Sequence, residues 1–231
     1  LTGTEDGLTA LWNFDDPDRP GHDATGHGHD GELRGQARPL VEAIDWETGK
    51  AMDRPAAIFD GTSSIELPRE MFSGLKEATI EAWVRWDHFD GWQRFFSYGN
   101  RGRDAYIGCR ISETLQGVLR DAAGTFNPLE AQSVLRTDSW FHVAMTSGPG
   151  GHRLYLNGDE VAQDPGATRS LGDLPPGPAW LGRWSDDGSG FQGALAEFRV
   201  WRTVRLPEQI RAGMQEIPPG SEADLVGWLK F

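Results

Sequence analysis

Along most of the chain, apolar and polar residues alternate in short runs closed by Gly, Asp or Pro, the spacing of half-buried β-strands rather than helices. The run 78–86 is the clearest. Ile80, Ala82, Val84 and Trp86 share one face, and Thr79, Glu81, Trp83 and Arg85 share the other. One face is therefore expected to enter a core and the other to line an open sheet, which singles out Trp83 as an aromatic on the polar side. Residues 95–99 and 106–111 read as the next strands, and 140–146 as a central strand buried on both faces. Residues 153–156 run into Asn157-Gly158, a pair suited to a type I′ turn because both central positions need positive φ, with 159–162 as the return strand. Residues 194–201 form a last strong strand. A single short helix is expected over 206–214, with Pro207 in its first turn and Ile210 and Met214 one turn apart. Strand following strand without βαβ alternation predicts an all-β, two-sheet antiparallel sandwich with one short C-terminal helix.

Composition fits that picture. A chain of 231 residues lies within the range of one sandwich domain, so 1–231 reads as a single unit. Ten Trp and eleven Phe among thirty Gly and fourteen Pro suit large buried side chains joined by tight turns. The formal charge of −13 argues against nucleic acid and anionic lipid as partners, since both need local Lys and Arg in excess. The same acidity suits an extracellular protein that meets divalent cations, and equally suits plain solubility. Cys109 is the only cysteine, so no internal disulfide can form. No apolar run approaches the roughly 20 residues of a membrane span, and no signal peptide precedes Leu1, so the chain reads as a piece of a larger secreted protein with neighbouring domains. Residues 225–231 repeat the pattern of 8–14, either as the start of a following repeat in a tandem array or as a closing strand of this one.

Several segments carry a resemblance when taken in order: Leu11-Trp-Asn-Phe-Asp15, the loop 23–31, Ile58-Phe-Asp-Gly61, Ser64-Ile-Glu-Leu67, Thr79-Ile-Glu-Ala-Trp-Val84, Trp140-Phe-His-Val-Ala144, Leu154-Tyr-Leu-Asn-Gly158, Leu181-Gly-Arg183 and the run 191–201. Together they resemble the laminin-G-like and pentraxin-like jelly rolls of the concanavalin A-like group. The resemblance implies two antiparallel sheets face to face, one curved so that its concave side can hold a ligand. It also implies a recognition module for glycans or cell-surface proteins, extracellular and often with a structural calcium ion. Fold alone does not choose among these ligands.

The loop carrying Asp15, Asp16, Asp18, Asp23 and Asp30 crowds carboxylates into turn-forming sequence, an oxygen supply that suits calcium. The resemblance places the ion where this loop, the turn after Phe-Asp-Gly and the last long strand meet, which makes Asp23, Asp60 and Glu197 the candidate ligands. Against that, related domains carry Asp where this chain has Ala196, alternation sends Glu197 to the opposite face, and such acids also cap turns. His22, His27 and His29 lack a fourth convergent ligand and read as exposed loop residues.

Sugar binding needs aromatic faces flanked by charged or amide groups. Trp83, Trp92, Arg94, Arg101, Arg103, Tyr106 and Trp184 are the pool, with Trp12, Trp140 and Trp201 assigned to the core. Arg101-Gly-Arg-Asp104 forms a cationic cluster able to meet a uronate or sulfate. For catalysis the sequence offers Glu42, Asp45 and Glu47, but Glu42 falls three residues before Asp45, so a regular strand turns it away from the pattern of glycoside hydrolases with this shape. Cys109 has no activating partner nearby in sequence, and His142 reads as a core residue. The expected function is a non-catalytic extracellular recognition module for a glycan, with an architectural or protein-adhesion repeat as one alternative and an atypical glycoside hydrolase or polysaccharide lyase as another.

Overall fold

The computed structural model describes the chain except residues 1, 2, 6, 15, 17, 37, 46–49, 121–125, 185–189 and 216–223, and for 38–45, 50–54 and 215 it describes the backbone alone. In chain order the strands of the first half are β1 (Ala10–Trp12), β2 (Glu32–Arg34), β3 (Arg38–Asp45), β4 (Lys50–Asp60), β5 (Ser64–Leu67), β6 (Ala78–Trp86), β7 (Trp92–Asn100) and β8 (Arg103–Arg110). Those of the second half are β9 (Leu115–Leu119), β10 (Leu129–Ala131), β11 (Trp140–Ser147), β12 (His152–Leu156), β13 (Asp159–Asp164), β14 (Ala179–Leu181), β15 (Gln192–Trp201) and β16 (Leu225–Leu229). One helix, α1 (Pro207–Gln215), separates the last two strands.

The strands make two packed sheets. The first runs β1-β16-β15-β6-β11-β12-β13, with β4 joined to β15 and β3 to β4. The second runs β10-β9-β8-β7-β14-β5-β2. Pairing is antiparallel throughout these ladders except between β1 and β16. The core between the sheets takes the alternate residues that the pattern marks, among them Ile80, Ala82, Val84 and Trp86 of β6. Trp86 meets the rings of Phe95 and Phe191 edge-on, with centroids 6.1 and 6.0 Å away. Each such pair contributes about 1 kcal/mol beyond burial. Asn157 and Gly158 both take positive φ, as the hairpin turn between β12 and β13 demands.

The outward face of β6 is not open. α1 lies across it: Ile210 packs on Ala144 and Tyr155, while Met214 joins Ala56, Trp83, Trp140, Ala194 and Ala196. Trp83 is consequently only 3% exposed, with its ring edge-on to His142. Alternation reports which residues avoid the inter-sheet core, but it cannot see a helix that arrives more than a hundred residues later in the chain.

Beneath that helix sits a buried ionic cluster. One oxygen of Glu81 accepts from Arg205 (3.0 Å), Trp201 Nε1 (3.0 Å) and Arg199 (3.4 Å). Arg199 also donates to Glu197 at 2.7 Å and to the Gly213 carbonyl at 2.9 Å, which ties the helix to the sheet. A β-bulge between Ala196 and Arg199 brings Glu197 into this network, with Glu197 itself at φ 54°. The expectation that Glu197 points away from Ala196's face held only for a regular strand; the extra residue of the bulge resets the alternation.

The likeness between the two ends also has a structural basis. β16 lies beside β1 in parallel, with Ala10 opposite Gly227, Leu11 opposite Trp228 and Trp12 opposite Leu229, the same residues that match in sequence. Phe14 and Phe231 close the pair with ring centroids 5.1 Å apart, both at positive φ. Residues 225–229 form a strand of this sandwich, and the two segments that share a pattern lie side by side in it.

Candidate functional site

Outward positions of the second sheet line up across six strands. Val118, Tyr106, Ser97, Trp180, Glu66 and Glu32 stand directly opposite one another from β9 to β2. At about 4.8 Å per strand this row spans roughly 24 Å. The next row holds Glu130, Gln116, Gly108 and Arg94.

Arg94 is the centre of the arrangement. Its guanidinium carbon lies 4.0 Å from the ring centroid of Tyr106 and 4.1 Å from that of Trp184, so the cation is held between two rings. Opposite it, Gly108 leaves the room; a Cβ there would come within 2.0 Å of the Gln93 carbonyl oxygen. Trp184 reaches this place because the chain turns sharply after β14. Gly182, at φ 86°, passes so close to Phe59 that a Cβ would lie 2.3 Å from its ring, and Ser97 Oγ then donates to the Arg183 carbonyl at 2.7 Å. Tyr106 is fixed from the other side: its hydroxyl donates to Gln116 at 2.7 Å, and Gln116 donates to Glu130 at 2.7 Å, which also accepts from Arg110.

Asp104 lies fully buried in the same cluster, with one carboxylate oxygen 3.5 Å from Arg120 Nε. Burial raises its pKa, and the charges of Arg120 and Arg94 oppose that rise. Its two oxygens and the N–H groups of Arg94 Nε, Arg120 Nε and Trp184 Nε1 form no hydrogen bond of normal length, so Trp184 and Arg120 approach the carboxylate only through long contacts.

Around this centre three half-buried tryptophans each have arginine beside them. Arg110 lies 5.5 Å from the Trp92 ring, Arg183 5.0 Å from Trp180 and Arg101 5.7 Å from Trp184. At the far end of the row the face opens into a cleft of about 710 Å³ walled by Glu32, Arg34, Glu66, Arg69, Asn100 and Pro178. None of the tryptophans lines this cleft, so it flanks the aromatic site instead of defining it.

Of the residues marked from sequence, Trp92, Arg101, Tyr106 and Trp184 come together on this face, and Arg103 stands exposed at the first position of β8. Trp83 does not join them, being on the other sheet under α1. Tyr106, almost fully buried, supports Arg94 more than it offers a surface. Trp180, Arg110, Gln116 and Arg120 enter the site unannounced by the sequence. Trp180 sits in a strand of three residues after Pro-Gly-Pro, too short to show alternation.

The proposed calcium ligands fall in separate networks. Asp23 accepts from the backbone N–H of Leu11, Thr25 and His29 and from the Thr25 hydroxyl. Burial pushes its pKa up, but these bonds outweigh that and hold it low. One oxygen of Asp60 accepts from the N–H and hydroxyl of both Thr62 and Ser63, with the Ser63 hydroxyl the largest cause of its strongly lowered pKa. Glu197 accepts from Arg199 and from Trp228 Nε1 at 2.9 Å. Each of these carboxylates is engaged by N–H or O–H donors in a network of its own, and among the described residues no group of three or more His, Cys, Asp or Glu is gathered as a metal site would need. Asp15 and Glu47 lie outside the described residues, as do the side chains of Glu42 and Asp45 on β3. Burial pushes the Cys109 thiol up to about 11, away from the range of a reactive thiolate.

Two packed antiparallel sheets, one sealed by a helix and the other presenting tryptophan and arginine, make this a jelly-roll sandwich of lectin-like build. Residues 59–211 match the family described as the concanavalin A-like lectin/glucanases superfamily, and the chain belongs to it. Among curated proteins none matches the sequence. Among solved structures, the chain is similar to domain 4 of AbnA, a GH43 extracellular arabinanase from Geobacillus stearothermophilus, in complex with arabinotriose (TM-score 0.63, 21% identity, covering 90% of this chain and 98% of that one). It is also similar to the CBM40 of the Ruminococcus gnavus IT-sialidase bound to α2,3-sialyllactose (TM-score 0.57, 17% identity, 79% and 97%). A third likeness is to the binding domain of Paraclostridial Mosquitocidal Protein 1 (TM-score 0.62, 14% identity, 82% of this chain and 48% of that one). The chain spans about half the length of several matched chains, including that one. At these identities the likeness is one of fold. No helix among the described residues is long and apolar enough to cross a membrane.

Proposed function

We propose that this domain is a non-catalytic binding module that holds a saccharide on the outer face of its second sheet. The observation that carries this reading is the Tyr106–Arg94–Trp184 stack, which fixes a half-buried indole at the centre of a row of polar and aromatic side chains. A sugar presents apolar C–H faces to such a ring and hydroxyls to the guanidinium and carboxylate groups beside it. The family lends support, since its domains are typical of secreted and cell-surface proteins, as do the saccharide complexes of the AbnA domain and the CBM40. Catalysis is not assigned: His142 and Glu81, the buried titratable pair, are sealed beneath α1.

The test is a glycan array probed with the natural chain and with Trp184→Ala and Trp180→Ala. Trp180→Ala, at a partly exposed position, should keep its melting temperature while signal falls for ligands of the natural chain; Trp184→Ala, which also uncovers the buried Arg94, is compared at a temperature well below its own melting point. Full binding by both variants would move the ligand off this face. No saccharide bound by the natural chain would end the glycan reading and leave the protein-adhesion alternative.

A further inference from the structure

Among the described residues, charge pairs evenly beneath α1, whereas arginine outnumbers carboxylate around Trp184 on the second sheet. Beneath α1, Arg199 and Arg205 meet Glu81 and Glu197, two cations for two anions. On the second sheet, among the described residues, buried Arg94 and half-buried Arg120 share the carboxylate of Asp104. Arg94 is only 7% exposed, and burial pulls its pKa below the ordinary arginine value. The exposed Arg101 adds a further positive charge at the Trp184 ring.

A buried guanidinium without its own counter-ion is costly, and flanking rings offset only part of that cost. Among the described residues Asp104 is the one carboxylate these groups share: its oxygens lie 3.5 Å or more from Arg120 Nε, and Arg94 Nε, Arg120 Nε and Trp184 Nε1 are left with at best long contacts to it. Excess positive charge beside unsatisfied donors is the complement of an oxyanion, which accepts several charge-assisted hydrogen bonds at once. A neutral sugar would use the ring and leave the charge unanswered. An extended polyanion would meet the −13 charge of the whole chain, whereas one acidic sugar feels mainly the local field.

Resting on the saccharide reading above, the geometry points to an acidic saccharide as the ligand, its ring against Trp184 and its carboxylate or sulfate received by the exposed Arg101 and the half-buried Arg120, with the charge of Arg94 behind the ring adding to the field. The direct test is calorimetric titration of the full chain with trigalacturonic acid, with its fully methyl-esterified form and with a heparin-derived tetrasaccharide. At least one acidic probe should bind on the order of tenfold tighter than the ester. That preference should disappear in Arg101→Gln, an exposed change expected to leave the melting temperature in place. Tighter binding of the heparin fragment alone would identify sulfate as the anion, and of the uronate alone, carboxylate. Affinity for the ester or other neutral sugars equal to that for both acids would overturn this inference and leave the saccharide reading intact. Acid preference undiminished in Arg101→Gln would also overturn it, and failure of every saccharide would remove both.

Discussion

The guanidinium carbon of Arg94 lies 4.1 Å from the centre of the Trp184 ring, and this contact holds a half-buried indole in place at the face of the second sheet. Lysine would keep the charge and the aliphatic stem but lose the planar group that fits between two rings. Arg94→Lys should therefore fold and weaken saccharide binding by about tenfold or more. Titration with whichever glycan the array identifies, beside a melting curve, checks this; unchanged affinity would make the stack structural only.

Gly108 lets the backbones of β7 and β8 come close together behind that stack. A methyl group at this position would collide with the Gln93 carbonyl oxygen, which belongs to backbone and cannot swing aside. Gly108→Ala should cost about 1–3 kcal/mol in urea unfolding and shift β7 against β8. Loss of binding larger than loss of stability is the expected pattern.

Asp23 is the clearest case of an acid used to hold a loop. Asp23→Ala leaves donors from Leu11, Thr25 and His29 without their acceptor, which should cost about 3 kcal/mol. The drop in melting temperature should be the same in chelator and in calcium. A drop seen only with calcium present would restore Asp23 as a metal ligand.

Stability should depend on pH through His142. Burial pushes its pKa down to about 4, against the pull of Glu81 at 4.0 Å and with the push of Arg199 and Arg205. The unfolded chain takes up the proton near the ordinary value of about 6.5, before the folded one does. The contribution of neutral His142 is thus complete above that value and is lost as pH falls toward 4, at up to ~1.4 kcal/mol per pH unit. His142→Gln should flatten the urea-unfolding free energy over this interval relative to the natural chain. Equal slopes in both proteins would refute the assignment.

Most of the fold could be read from residues, because strands such as β6, β11 and β15 are long enough for alternation to show and the Asn157-Gly158 turn has few alternatives. Among the strands that escape notice, β2, β9, β10 and β14 are three to five residues long and owe their existence to neighbours instead of their own pattern, whereas β3 and most of β4 are long and are missed all the same. The site was half legible for the same reason. Trp92, Arg101, Tyr106 and Trp184 stood out by residue type, but a residue's layer depends on what later segments cover. Trp83 has the composition of a binding aromatic and the position of a core one. Asp104 looked like part of a cationic turn, whereas its burial between Arg94 and Arg120 follows from strand register, which no local motif encodes.

The parallel pairing of β1 with β16 has a mechanical consequence. The chain enters at the start of one strand and leaves at the end of its neighbour, so a pull on the two ends slides these strands past each other along their length. The backbone bonds of the ladder then share the load together, unlike a hairpin pulled open rung by rung. Stretched between two attachment points, the domain should resist as a clasp in shear while its tryptophan face, on the opposite sheet, stays outside the line of force.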